Sequence, residues 1–190
     1  MAIRNVGVAG CGLMGGGIAQ TCAQSGYETV VREVNQQLLD KGMARINEAW
    51  DMLAAKGKIT RGQVDEYRAR LHGTLDLADF ADCDLVIEAV IENMEEKLRL
   101  FPALDHIVKP GALLLTNTSS LNVTQMGAVT KRPDKVCGLH QNRARMPLLS
   151  KQGHPGAFLI RWLGWGGQHI ALRSCSYSHR SDELGYRTDG

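Results

Sequence analysis

Three glycines, Gly10, Gly12 and Gly15, are spaced G-x-G-x-x-G, and a carboxylate, Glu33, follows 18 residues after the last of them. Such a set suits a diphosphate and a ribose. Gly10 permits a tight turn, Gly12 keeps a Cβ away from an approaching pyrophosphate, and Gly15 lets a helix pack closely on a sheet. Leu13 and Met14 fall inside the same turn, where the unpaired N–H groups of a helix start face the phosphates. A carboxylate at Glu33 accepts both hydroxyls of an adenine ribose and repels a 2′-phosphate, so the pattern predicts NAD rather than NADP. Arg32 beside it weakens that preference, because a cation receives such a phosphate.

Further along, the chain offers an acid at Glu92, amide and hydroxyl groups at Asn117-Thr118-Ser119-Ser120, and an imidazole at His140. The elements around them decide whether they meet. A β-branched run enters the glycines, and an apolar segment with Ile18, Ala19, Cys22 and Ala23 leaves them, which is a strand, a turn and a helix. After a second strand, Glu28 to Arg32, the residues Leu39, Met43, Ile46, Trp50 and Leu53 recur at helical steps and predict a long helix ending near Lys56-Gly57. Thr60 and Gln63 form a capping box for another helix, with Val64, Tyr67 and Leu71 on its buried side. This pair is an insertion relative to a minimal βαβ unit.

Leu85 to Val90 follows a polar Asp82-Cys83-Asp84 turn as a continuous apolar run, the pattern of a strand covered on both faces that ends toward Glu92. Glu95, Glu96 and Lys97 open the next helix, with Leu98, Phe101, Leu104 and Val108 as its inner stripe. Pro102 in its interior predicts a kink or break near Arg99, since such a proline removes a hydrogen bond and costs about 3 kcal/mol. Pro110-Gly111 is a turn and Leu113 to Thr116 a further strand. Asn117 to Ser120 caps a short helix from about Val123, and Val136 to His140 is the last buried strand. The alternation predicts an α/β fold, a Rossmann-like doubly wound parallel sheet with a helical-pair insertion. In such sheets ligands lie beyond the carboxyl ends of the strands, where Glu33, Glu92, Asn117 to Ser120 and His140 all fall.

Composition narrows the function classes. The net charge is +2, from 22 Lys+Arg and 20 Asp+Glu, and the basic excess lies after His140. Neither part is basic enough to predict a nucleic-acid partner. The five cysteines (11, 22, 83, 137 and 175) are odd in number and lack metal spacing, which predicts reduced thiols in a cytoplasmic protein and no metal. With no apolar run near 18 residues and little chain before the first strand, neither a membrane span nor a leader is expected.

Four stretches together resemble the 3-hydroxyacyl-CoA dehydrogenases of fatty-acid and butanoate metabolism. They are Gly10 to Ala19, Asp84 to Val90 with Glu92 and Lys97, Asn117 to Leu121, and Lys131 to His140. The resemblance implies an NAD-binding domain at residues 1–140 that oxidises a 3-hydroxyacyl-CoA to the 3-ketoacyl-CoA. It implies His140 as the general base, an imidazole suited by its near-neutral pKa. By the same likeness Ser119 hydrogen-bonds the substrate oxygen and Asn117 lies beside nicotinamide and substrate. Ala89, Val90, Glu92 and Lys97 match cofactor positions, and Lys56 matches a lysine that meets the CoA phosphates.

Beyond His140 the family continues with two phenylalanines, Asn-Pro and a glutamate that orients the catalytic histidine. This chain has Gln141 to Ser150 there, with Ser150 in place of the acid, and a hydroxyl cannot offset an imidazolium charge. Residues 141–190 are therefore expected to be a divergent tail from a shifted reading frame. The family's helical second domain, which closes over the acyl chain and forms the dimer, is missing from the pattern. Two functions remain open: an NAD-dependent 3-hydroxyacyl-CoA dehydrogenase impaired by that tail, or a catalytically silent NAD-binding module. A dehydrogenase of another 3-hydroxy acid is a third.

Overall fold

The computed structural model describes residues 3–142 and 169–173, with side chains as far as Leu139. The expectations for Ser150, Cys175 and most of the tail, and for the His140 side chain, lie outside the described residues.

The chain runs β1 (Asn5–Ala9), α1 (Leu13–Gln24), β2 (Glu28–Arg32), α2 (Gln36–Ala55), α3 (Arg61–Ala69), β3 (Leu71–Thr74), β4 (Leu85–Glu88), α4 (Met94–Ile107), β5 (Leu113–Thr116), α5 (Val123–Ala128), β6 (Val136–Asn142) and β7 (His169–Arg173). The sheet order is β3-β2-β1-β4-β5-β6-β7. The first six strands are parallel, whereas β7 pairs antiparallel with β6 from Gly138↔Arg173 to Asn142↔His169. Because the chain winds outward from β1 in both directions, the crevice between the loops after β1 and β4 is the topological switch point.

Period-two alternation of apolar side chains covers both faces of the sheet. Leu85 and Ile87 join Val6, Val8, Ile18, Ile46 and Trp50 in one core, while Val86 packs with Phe80, Phe101, Leu104 and Met126 in the other. At the opposite end from the crevice, Asp84 pins β4 to β1. Its Oδ2 accepts the amide protons of Arg4 at 2.7 Å and Asn5 at 2.9 Å, and the Lys109 ammonium lies 2.6 Å from Oδ1. Burial pushes this carboxyl up, but those partners outweigh it and bring its pKa down to about 2.

The Thr60–Gln63 capping box forms in both directions, and α2 ends at Lys56 as the periodicity predicts. Four readings change. Leu71 belongs to β3, an edge strand whose short polar sequence gave no strand signal, and not to the buried side of α3. β4 stops at Glu88, so Glu92 lies in the following loop. The helix α4 runs through Pro102 without a break. Buried Phe101 and Leu104 fix the helix on either side of the proline, and the carbonyl it orphans belongs to the half-exposed Leu98. Finally, β7 adds an antiparallel edge to a sheet expected to be wholly parallel.

Candidate cofactor and active site

The glycine turn is closed from inside. Gly10 has φ 104°, and a Cβ there would lie 2.6 Å from the Ala89 carbonyl oxygen, so only glycine brings the turns after β1 and β4 together. A Cβ on Gly15 would lie 1.9 Å from the Gly10 carbonyl oxygen. Gly15 thus lets α1 close on the turn itself, not on the sheet as expected. Over Gly12 the space is open, with no atom within 4 Å of a Cβ built there.

Side chains of Asn35, Thr60, Asn93 and Asn122 cap α2, α3, α4 and α5, whereas α1 starts at Gly12 with no side-chain cap. Its N-terminal amides and positive dipole end are left for an anion. Glu33 faces this turn. Its Oε1 accepts the Cys11 amide proton at 2.7 Å and its Oε2 the Val34 amide proton at 3.0 Å. An ionised carboxylate has about four acceptor positions, so each oxygen keeps one for a hydroxyl. Arg32 is turned to the β3 side, its Nε donating to the Leu75 carbonyl at 3.1 Å. The Cys11 thiol is buried, and burial, with the Glu33 charge, pushes its pKa up to about 11, so it stays a neutral packing group.

Exposed apolar side chains surround the crevice: Leu13 and Met14 after β1, Val34 and Leu38 after β2, and Ile91 after β4. An apolar rim around a few polar groups is the usual make-up of a ligand site. A separate cavity of about 450 Å³, lined by Met43, Asn47, Trp50, Arg68 and Leu71, lies between α2, α3 and the amino end of β3, away from the carboxyl ends of the strands.

The loop after β5 alternates its side chains. Thr118 and Ser120 both donate to Glu92 Oε1, the latter at 2.9 Å. The half-buried Asn117 and the exposed Ser119 have no side-chain partner among the described residues. β6 continues past the end of β5, since Thr116 pairs with Gly138, and the His140 backbone therefore lies beyond that strand end, beside the loop. Behind the loop is a buried charge cluster. The Lys97 ammonium sits 2.6 Å from Glu88 Oε1 and 3.4 Å from Glu92 Oε2, with Lys97 and Glu88 exposing 1% and 0% of their side chains. Partial burial raises the Glu92 pKa, but Thr118, Ser120 and Lys97 outweigh it and hold the carboxyl below its ordinary value.

Residues 5–146 match the family described as 3-hydroxyacyl-CoA dehydrogenase, NAD binding domain. The chain belongs to the 3-hydroxyacyl-CoA dehydrogenase family. NAD is the cofactor of the matched domain, and an uncapped helix start, an open face over Gly12 and an acid beside the turn fit that nucleotide. A probable 3-hydroxybutyryl-CoA dehydrogenase of Deinococcus radiodurans is 46% identical over 134 residues, 70% of this chain and 48% of the relative. The crystal structure of (S)-3-hydroxybutyryl-CoA dehydrogenase from Ralstonia eutropha superposes with a TM-score of 0.71 at 37% identity, covering 73% of this chain and 49% of that one. A fatty acid oxidation complex subunit alpha of Psychrobacter is 34% identical over 149 residues, 77% of this chain and 21% of the relative. The chain spans about half the length of the 3-hydroxybutyryl-CoA dehydrogenases it matches.

Among the positions singled out in this 3-hydroxyacyl-CoA dehydrogenase domain, Gly10, Gly12, Gly15, Glu33, Ala89 and Val90 converge at the switch point. Asn117, Ser119 and Glu92 gather one strand over. Lys56 is not brought to the turn: it caps the far end of α2, 14 residues beyond Gly42, or about 20 Å along a helix. Three positions escaped notice. Glu88 hides in an apolar run, Thr116 donates to it at 2.6 Å, and Gly42 seats α2 on the turn, where a Cβ would lie 2.4 Å from Cys11 Sγ. The signal for Glu88 was present, because a carboxylate inside such a run requires a cation nearby.

Proposed function

We propose that this chain binds NAD in the glycine turn and carries the cofactor half of an NAD-dependent oxidation of 3-hydroxyacyl-CoA to 3-ketoacyl-CoA. The observation that carries the reading is Glu33, whose carboxylate is tied to the Cys11 amide beside an uncapped helix start. In this reading Gly12, Leu13 and Met14 present the diphosphate with amides, and Glu33 takes the ribose hydroxyls. Ala89, Val90 and Glu92 border the nicotinamide side.

When bound, the nucleotide accepts the hydride. The remaining work is positional and acid–base. Ser119 holds the substrate oxygen, Asn117 aligns substrate with cofactor, and His140 takes the hydroxyl proton. Lys56, exposed at the end of α2, suits the CoA phosphates in a more extended arrangement of ligand. The family names of its relatives favour short acyl groups such as 3-hydroxybutyryl, and the buried reduced thiols fit a cytoplasmic enzyme. Among the described residues no helix is long and apolar enough to cross a membrane.

A second reading is a silent NAD-binding module, favoured by Ser150 where the resemblance calls for an acid. Titration with NADH and NADPH, followed by NADH oxidation with acetoacetyl-CoA, separates the two. Tight NADH binding with turnover supports the dehydrogenase, and binding without turnover supports the silent module. Absence of NADH binding overturns both.

A further inference from the structure

We infer that Glu88 is a positioning residue. Through the Lys97 ammonium and Glu92, its buried carboxylate holds the loop Asn117-Thr118-Ser119-Ser120 in the arrangement that leaves the Asn117 and Ser119 side chains without a partner among the described residues and so available to a ligand. The inference rests on the dehydrogenase reading only for the role of that loop.

The connection is continuous. Glu88 and Thr116 are register partners at the ends of β4 and β5, and Glu88 Oε2 accepts the Thr116 hydroxyl at 2.6 Å. Glu88 Oε1 accepts the Val90 amide proton at 2.8 Å and the Lys97 ammonium at 2.6 Å. Lys97 reaches on to Glu92, and Glu92 receives Thr118 and Ser120. The Thr118 hydroxyl in turn accepts the amide protons of Ser120 at 3.3 Å and Leu121 at 3.0 Å. Two charges buried to 0% and 1% exposure thus order one exposed loop.

Stability alone gives no reason for this arrangement. Burying an ion pair costs desolvation, and apolar residues of similar volume commonly serve a core as well or better. Lys97 also stands near the start of α4, the end of a helix that disfavours a cation. What the pair provides is direction: the ammonium has two carboxylate partners, and the second one grips the loop. With its side chain almost wholly covered, Lys97 acts on the cofactor side through Glu92 and not by touching the nucleotide.

The test compares wild type with E88M/K97M, which replaces the pair by apolar side chains, and with E92A at the exposed end. The readouts are amide exchange at Ser120 and Leu121 without ligand, the thermal midpoint, and binding of NADH against ADP-ribose. For E88M/K97M we expect a midpoint at or somewhat below the wild-type value, because the Thr116 hydroxyl and the Val90 amide lose their acceptor, with at least tenfold faster exchange at the two amides and about fivefold weaker NADH binding, ADP-ribose binding being unchanged. E92A should accelerate the same amides with little change in midpoint. Should E88M/K97M not fold, E88Q, which keeps an acceptor for Thr116 and removes the charge that fixes Lys97, decides by the same exchange readout. Unchanged exchange in E92A, or in a folded E88M/K97M, overturns the inference, as does an equal loss of NADH and ADP-ribose binding. A wild type that binds neither nucleotide overturns the cofactor reading and leaves the exchange test of Glu88 intact.

Discussion

Glu33 accepts the amide proton of Cys11 at 2.7 Å, so one carboxylate fixes the glycine turn and, in the function proposed above, also receives the ribose. Replacing it with alanine removes both roles. Since hydrogen bonds to a charged group contribute about 1.5–3 kcal/mol each, E33A should weaken NADH binding at least tenfold. NADPH binding should fall less, because the repulsion of its 2′-phosphate disappears as well. Calorimetric titration with both nucleotides checks this, and an unchanged NADH:NADPH ratio would count against the assigned role.

The glycines at 12 and 15 should behave in opposite ways. In G15A the new methyl meets the Gly10 carbonyl oxygen at 1.9 Å, so α1 must shift, and a loss of about 2–4 kcal/mol of stability is expected together with NADH binding. In G12A the methyl meets nothing, and stability should change by about 1 kcal/mol or less. NADH affinity should still drop in G12A, because the methyl occupies the space for the diphosphate. Urea unfolding beside NADH titration separates the two.

Within the loop after β5, neighbouring hydroxyls should have unlike effects. T118V leaves two amides without their acceptor and Glu92 with one donor fewer, and about 1–2 kcal/mol of stability should be lost. S119A removes an exposed hydroxyl with no described partner, and its midpoint in urea should match wild type within about 0.5 kcal/mol. Any turnover of acetoacetyl-CoA should nonetheless be more sensitive to S119A than NADH binding is.

Asp84 predicts the acid limb of stability. Its pKa is about 2 in the fold against an ordinary 3.8, so the ionised form is the one the fold favours. Its contribution is complete above about pH 4 and is lost as pH falls through about 2, a difference of about 2 kcal/mol. D84N should lower stability at neutral pH and flatten the decline between pH 4 and 2. Urea midpoints measured across that range test the sign directly.

Local spacing made much of this molecule legible. The glycines and Glu33 fall where a strand, a turn and a helix must place them, and the Thr60–Gln63 box is a contact between residues three apart. What escaped depends on packing that spacing alone does not fix. Pro102 reads as a helix breaker until Phe101 and Leu104 are seen buried beside it, and the Leu71 strand exists because β2 offers an open edge. Glu88 reads as part of a strand until Lys97 folds back onto it. The same limit applies to His140: register carries its backbone beyond the end of β5, and no farther.

The buried Glu88–Lys97 pair also bears on how this domain changes under selection. Screening variants for heat resistance alone should enrich apolar combinations at 88, 97 and 116 together, because a buried ion pair costs desolvation that a well-packed apolar set avoids and an apolar residue at 116 removes the hydroxyl that Glu88 satisfies. Such descendants would become tougher while losing the alignment between Glu92 and its two hydroxyls. Retention of both charges in a functioning lineage therefore records a demand made by chemistry, and their joint disappearance would mark a lineage released from it.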